Sequence, residues 1–217
     1  MEKKRRKNEN KINQGVPEHS PEQTTQPIIT LYNYNNTNNI ISQIEENART
    51  YQALLQKGFP EEAIHDLLSS GLSIDIIEEA GIQPPIEKEI IEKYHIPIID
   101  RQSRMKKYIP LYLIPYPIVD IKDQNKMARI KVRPNPTYLK IDESIKDTKY
   151  LQPSKEHLKH GSHLYILPSE IAKLQSPKCN LILVEGEKKT LKVIQEIRKI
   201  ESQIGKFAII GISGVHN

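Results

Sequence analysis

Two apolar runs, Leu181–Val184 and Phe207–Ile212, flank a segment of helical length and periodicity from Lys188 to Ile204, and this pattern restricts the fold more than any other stretch of the chain. Strands separated by a whole helix cannot be joined as a hairpin, so they must lie parallel in one sheet as a βαβ unit. Both runs are continuously apolar rather than alternating, which predicts strands buried on both faces. Leu164–Leu167 reads as a further strand, and Pro168–Leu174 as a short helix opened by its proline. From residue 164 onward the chain therefore reads as α/β.

Between Ile96 and Pro153 the texture is different, with short β-branched and tyrosine-rich runs broken by proline: Tyr108–Ile114, Ile118–Ile121, Ala128–Val132 and Thr137–Ile141. These predict strands, with Asp123-Gln124-Asn125 as a hairpin loop. Residues 100–159 hold fourteen basic against seven acidic side chains, although the net charge of the whole protein is only +5. Arg129, Lys131 and Arg133 alternate along one predicted strand and so share one face. Such a ridge suits a phosphate backbone, and it equally suits a solvent-facing edge strand defended by charge.

Residues 61–99 are the acidic counterpart, with nine acids against two bases. Ile40, Ile41, Ile44, Ala48, Tyr51 and Leu55 predict an amphipathic helix closed at Gly58. A second helix starts at Pro60, a third is capped by Ser73 and stops at Gly81, and a fourth follows Pro84-Pro85 and carries Ile86, Ile90 and Ile91. Met1 to Asn39 is Lys/Arg-rich, then rich in Pro, Gln and Thr, then dominated by Asn; it has no face to bury and is expected to be a disordered tail. The divisions are thus a tail (1–39), a helical module (40–95), a basic β-rich region (96–163) and an α/β segment (164–217), an α+β protein as a whole.

No apolar run approaches the ~20 residues that cross a bilayer, so no membrane partner is expected. The basic Lys3-Lys4-Arg5-Arg6-Lys7 is not followed by the apolar segment of a signal peptide, and Cys179 is the only cysteine, which leaves no intrachain disulfide or cysteine zinc cage. The expected compartment is the cytoplasm.

The sharpest chemical feature is Val184-Glu185-Gly186-Glu187-Lys188-Lys189. The strand delivers Glu185 at its carboxyl end, Gly186 turns the chain and a helix begins at once. In open α/β sheets that edge is where ligands bind. A carboxylate there can hold a divalent metal or move a proton, and Lys188 and Lys189 can meet a phosphate. The bland alternative makes Glu187 a partner of the helix dipole and nothing more. His157, His160 and His163 are spaced by three beside Gly161 and read as surface loop histidines, and Cys179 reads as a packed or incidental thiol.

Val184-Glu185-Gly186-Glu187-Lys188-Lys189 resembles the first motif of TOPRIM domains, in the variant found in replication proteins of plasmids, phages and other mobile elements. Ser70-Gly71-Leu72-Ser73 with Ala80-Gly81-Ile82 is similar to that family's helical lead-in, Tyr150-Leu151-Gln152-Pro153 to the segment before its TOPRIM part, and Gly211 to Asn217 to its second strand and loop. The resemblance implies that Glu185 is a general acid or base in nucleotidyl or phosphoryl transfer and one ligand of Mg²⁺. The Asp-x-Asp pair that completes the family's metal site is absent beyond Glu185, so the metal site is incomplete and the chain is expected to be inactive alone, as the N-terminal portion of a primase-like protein. Implied partners are nucleic acid, bound weakly and without sequence preference through Arg129, Lys131, Arg133, Lys188 and Lys189, and a helicase or the remainder of the same protein. The alternative is a non-catalytic nucleic-acid-binding or docking module. Phe59-Pro60-Glu61-Glu62-Ala63-Ile64 also resembles ubiquitin-associated three-helix modules, which implies protein docking for residues 41–81.

Overall fold

The computed structural model describes residues 26–117, 127–145, 148–154, 156 and 164–212, with the backbone alone for residues 26–38. The protein is α+β: helices come first, then an antiparallel sheet, then a mixed sheet with its own helices. It divides into residues 1–43 and 44–217. The described part of the first unit is the beginning of helix α1 (Gln26–Gln56), which starts inside the stretch expected to be tail, with Pro27 in its first turn where a missing N–H costs little. Residues 1–25 lie outside the described residues.

In the second unit one device closes each of the first three helices. After α1, the amides of Gly58 and Phe59 donate to the carbonyls of Leu55 and Leu54. After α2 (Glu61–Ser69), Gly71 and Leu72 donate to Leu68 and Leu67 in the same way, and after α3 (Ile74–Glu79), Gly81 and Ile82 donate to Glu78 and Ile77. This paired bonding across a left-handed residue brings the side chain after the glycine onto the last helical turn, which is why the pairs Leu54/Phe59, Leu67/Leu72 and Ile77/Ile82 are all buried. The buried face of α1 agrees with the expected one only at Tyr51, which packs against the core. Leu54 and Thr50 are buried, whereas Ile44 and Leu55, expected inward, are 61% and 45% exposed. Ser73 does not cap α3 through its hydroxyl; instead its amide donates to Gln195 Oε1 at 2.9 Å. Helix α4 (Glu87–Glu92) follows as expected.

Strands β1 (Tyr108–Pro115), β2 (Ala128–Pro134) and β3 (Tyr150–Leu151) form an antiparallel sheet in that order, with a bulge between Pro110 and Tyr112. Ile118–Ile121 and the Asp123–Asn125 loop lie outside the described residues. Thr137–Ile141, expected as a strand, is instead the end of a one-turn helix α5 (Pro136–Leu139) and the residues after it. The cause is local: Asn135 Oδ1 accepts the Thr137 amide at 3.0 Å and Pro136 presets the first helical φ.

The sheet separates two apolar clusters. Ala128, Ile130 and Val132 of β2 join Ile90, Tyr94, Ile96 and Ile98 on one side. Tyr112 and Ile114 of β1 join the helical module on the other. In the second sheet, β6 (Phe207–Ile212) is central, antiparallel to β4 (Leu164–Tyr165) and parallel to β5 (Asn180–Glu185). Helix α6 (Pro168–Leu174) precedes β5, and α7 (Glu187–Ile204) links β5 to β6. Strand β4 ends two residues sooner than expected. Beyond it, the buried Glu170 of α6 accepts the Ile209 amide at 3.0 Å, which satisfies an edge donor of β6. β6 is buried as its composition predicts, but β5 is not: Leu181 and Leu183 are 52% and 57% exposed while Ile182 and Val184 pack against the core. β5 is an edge strand covered on one face only by the described residues. No helix among the described residues is long and apolar enough to cross a membrane.

Candidate functional site

The end of β5 is built by its pairing with β6. Glu185 stands opposite Ile212, and the Gly186 amide donates to the Ile212 carbonyl at 2.9 Å, carrying the ladder one residue past the strand. Gly186 then adopts φ 85° and ψ 146°, a combination essentially closed to residues with a Cβ. Its carbonyl accepts both the amide and the hydroxyl of Thr190, at 3.0 and 2.7 Å, so the strand passes into α7 with no intervening loop. Glu185 is exposed at the carboxyl edge of a parallel pair, with Lys188 and Lys189 in the first helical turn, as the sequence predicts.

Glu187 is more than a dipole partner. It is 4% exposed, accepts from the Tyr116 hydroxyl, and pairs with Arg129 Nη1 at 3.0 Å in a site where both side chains are under one-tenth exposed. Burial, reinforced by the charge of Glu187, pushes the Tyr116 phenol well above its ordinary pKa, so it remains a donor at all ordinary pH values. Two turns of chemistry lie side by side here, because the next residue, Lys188, reaches a different acid. Its Nζ is 2.8 Å from Asp66 Oδ2 of α2. Asp66 also accepts the Tyr112 hydroxyl at 2.5 Å and faces Lys131 at 3.5 Å. Burial raises the Asp66 pKa, but hydrogen bonds from Lys188 and Tyr112 and the charges of Lys188 and Lys131 outweigh it, leaving the carboxyl below its ordinary value.

The row on β2 must be corrected accordingly. Arg129, Lys131 and Arg133 do share a face, but Arg129 meets Glu187, Lys131 meets Asp66, and Arg133 meets Glu62 at 2.8 Å. Two of the three lie under the helical module and α7 rather than in solvent, because the opposite face of β2 supplies the apolar cluster and the sheet has no bare side there. Lys131 and Arg129 also lie 4.9 and 5.8 Å from the centre of the Tyr150 ring. Of the five cations expected to meet phosphate, Lys189 alone is exposed and has no partner among the described residues. Asp66, Tyr112 and Tyr116 were not legible as members of this cluster. The only signal for them was the matching excess of acids in 61–99 and of bases in 100–159.

A magnesium ion requires a near-octahedral shell of oxygens. Glu185 supplies one carboxylate, Glu187 is committed to Arg129 and Tyr116, and among the described residues no group of three or more His, Cys, Asp or Glu is placed to hold a metal. The described residues do not by themselves fit the ion. His157, His160 and His163 lie outside the described residues. Cys179 is partly exposed, with its thiol 3.4 Å from the Asn180 carbonyl.

No family model matches the chain, and no curated protein matches it. Among solved structures, one of the DnaG catalytic core is similar to it at 18% sequence identity and a TM-score of 0.41, over 78% of this chain and 52% of that one. The chain spans about half the length of that structure.

Proposed function

We propose that this chain is the nucleic-acid-binding, TOPRIM-like portion of a primase-like DNA replication protein, in which Glu185 serves as general acid or base in nucleotidyl or phosphoryl transfer. The observation that carries the reading is the division of labour within one motif. Glu187 and Lys188 are spent on fixing the helix to the rest of the protein, while Glu185, two residues earlier, is left exposed at the strand end. A carboxylate held on a rigid strand terminus, followed in the first turn of α7 by an exposed Lys189 that has no partner among the described residues, suits proton transfer next to a phosphate. The motif order from Ser70 to Gly211 supports assigning the protein to a plasmid, phage or other mobile element, with a cytoplasmic setting and a helicase or further chain of the same protein as partner. That no second acid joins Glu185 in a metal-binding group among the described residues favours a second reading, a module that binds nucleic acid without catalysis.

Titration of labelled single- and double-stranded DNA across a salt series tests the shared part of both readings. Binding should weaken roughly linearly in log affinity against log salt, by about 0.7 to 0.9 per phosphate contact. Failure to bind either form at low salt would overturn both. We expect no primer synthesis, strand cleavage or tight Mg²⁺ binding by these 217 residues alone.

A further inference from the structure

Cations without a partner among the described residues occur elsewhere, in the loop that leads into β1. Residues 99–106 are closed as a loop by an antiparallel bridge between Ile99 and Lys106, and the Asp100 amide donates to the Met105 carbonyl at 2.8 Å. Inside it the Asp100 carboxylate accepts the amides of Gln102 and Ser103 at 2.7 and 2.9 Å and the Tyr138 hydroxyl at 2.7 Å, with Lys107 at 3.4 Å. The Tyr138 hydrogen bond and then the two amides hold Asp100 far below the usual carboxylate range, so it stays charged and is used up inside the loop. Lys106 is paired with Glu87. Arg101 and Arg104 are exposed, and no described residue pairs with either.

Arg101 lines two cavities. One cavity of about 400 Å³ is lined by four isoleucines (Ile91, Ile96, Ile98 and Ile99), Pro97 and Arg101 together with His95 and Ser154; a second of about 460 Å³ is lined by Pro97, Ile99, Asp100, Arg101, Gln102 and Lys107. They share Pro97, Ile99 and Arg101, so they adjoin: the first is mainly apolar and the second charged, where Lys107 is paired with Asp100 and Arg101 with no described residue, while Arg104, exposed in the same loop, lines neither. A peptide of acidic side chains alone would use the cations and leave the isoleucines uncovered. A nucleotide uses both, since its base presents flat apolar faces and its phosphate a charge suited to guanidinium.

We propose that these adjoining cavities bind a nucleotide unit, with the base against Pro97 and Ile99 and its phosphate held by Arg101, and that Arg104 of the same loop meets a neighbouring phosphate. This rests on the nucleic-acid reading above and moves the contact from the β2 row to the loop. The unit is supplied either by a single strand or by a free nucleotide.

The test compares the full chain with Arg101→Gln/Arg104→Asn, the asparagine being chosen because Arg104 has φ 55°. A labelled thymidine homo-oligonucleotide, an abasic oligomer of equal length and thymidine monophosphate are titrated against each, with amide NMR following residues 96–107. We expect the variant to bind the oligonucleotide about 10- to 30-fold more weakly at 0.1 M salt, with a salt slope smaller by about 1.4 for two lost single-strand contacts. Loop shifts with the oligonucleotide and not the monophosphate identify a strand as the source, and equal shifts identify a free nucleotide. Abasic and normal oligomers binding alike would overturn the base half of the proposal. Unchanged binding in the variant would overturn the site and leave the nucleic-acid reading standing. Loop shifts with the monophosphate but no strand binding would support the site and overturn that reading, and no response to any probe would overturn both.

Discussion

The β2 row and the loop before β1 carry the same kind of charge, and the fold treats them oppositely. Arg129, Lys131 and Arg133 each face an acid from another element, whereas Arg101 and Arg104 face none among the described residues. The regular spacing on β2 is what made that row conspicuous, and the same regularity is what allowed it to pack. A strand of period two lines its cations along one face, so a neighbouring surface with matching acids can cover all of them at once. The loop has no periodicity, so nothing packs over it as a unit. Density of charge in a sequence therefore locates an electrostatic surface, but only the pairing tells whether that surface joins two parts of the protein or remains available to a ligand.

The largest test of this contrast is removal of Arg129. Arg129→Leu leaves Glu187 buried beside Tyr116 without a counter-ion, which should destabilise the protein by about 3–5 kcal/mol in urea unfolding, and Arg129→Leu/Glu187→Leu should recover most of that loss. A cost under about 1 kcal/mol for the single change would mean that the pair is hydrated and that the β2 row is more open than its burial indicates. By contrast, Arg101→Gln/Arg104→Asn should change stability by no more than about 0.5 kcal/mol.

Asp66 comes next, because it holds Lys188, Lys131 and Tyr112 together while remaining partly solvated. Asp66→Asn should cost about 1–3 kcal/mol, in the range for a partly buried group whose charged partners lose their acceptor. The pH dependence has a definite sign. The folded carboxyl titrates below its unfolded value, so its contribution is fully present above the unfolded pKa of about 3.9 and is lost as pH falls through the lowered folded value. The wild type should therefore lose more stability than Asp66→Asn on acidification below about pH 4, and equal acid slopes would remove Asp66 from the network.

How much of this was legible follows the range of the interactions. The helix ends at Gly58 and Gly81 were readable because those glycines act through bonds to residues within the last turn, whereas the same closure at Gly71 was not among the expectations. The β5–α7–β6 unit was readable because strand pairing and crossover length are set by the chain itself. At Thr137–Ile141 the β-branched run points to a strand, but the local signal Asn135-Pro136 caps and starts a helix there. The exposure of Leu181 and Leu183, the inward turn of Leu54 and the acid matched to each β2 cation depend on which elements pack together, which no window of sequence contains. For the candidate site, the position of Glu185 was legible from Gly186 and the strand, but the use of Glu187 and Lys188 as anchors was not, since their partners lie 58 and 122 residues away.

The smallest expected effect on stability is the most informative about function. Glu185 and Glu187 are separated only by Gly186, are chemically identical, and differ in what surrounds them. Glu187→Gln removes the charge that Arg129 faces in a buried site and should lower the melting temperature clearly, while Glu185→Gln, nearly isosteric and solvated, should stay within about 0.5 kcal/mol of wild type. If Glu185 is an acid or base, its removal should cost about 10²–10⁴ in rate wherever the reaction is complete, with strand affinity unchanged or slightly raised because a negative charge near phosphate is gone. The decisive measurement is thus a pair of melts beside a pair of binding curves. Should Glu185→Gln destabilise the protein as much as Glu187→Gln, the exposed carboxylate would be part of the scaffold after all, and the division of labour on which the functional reading rests would not exist.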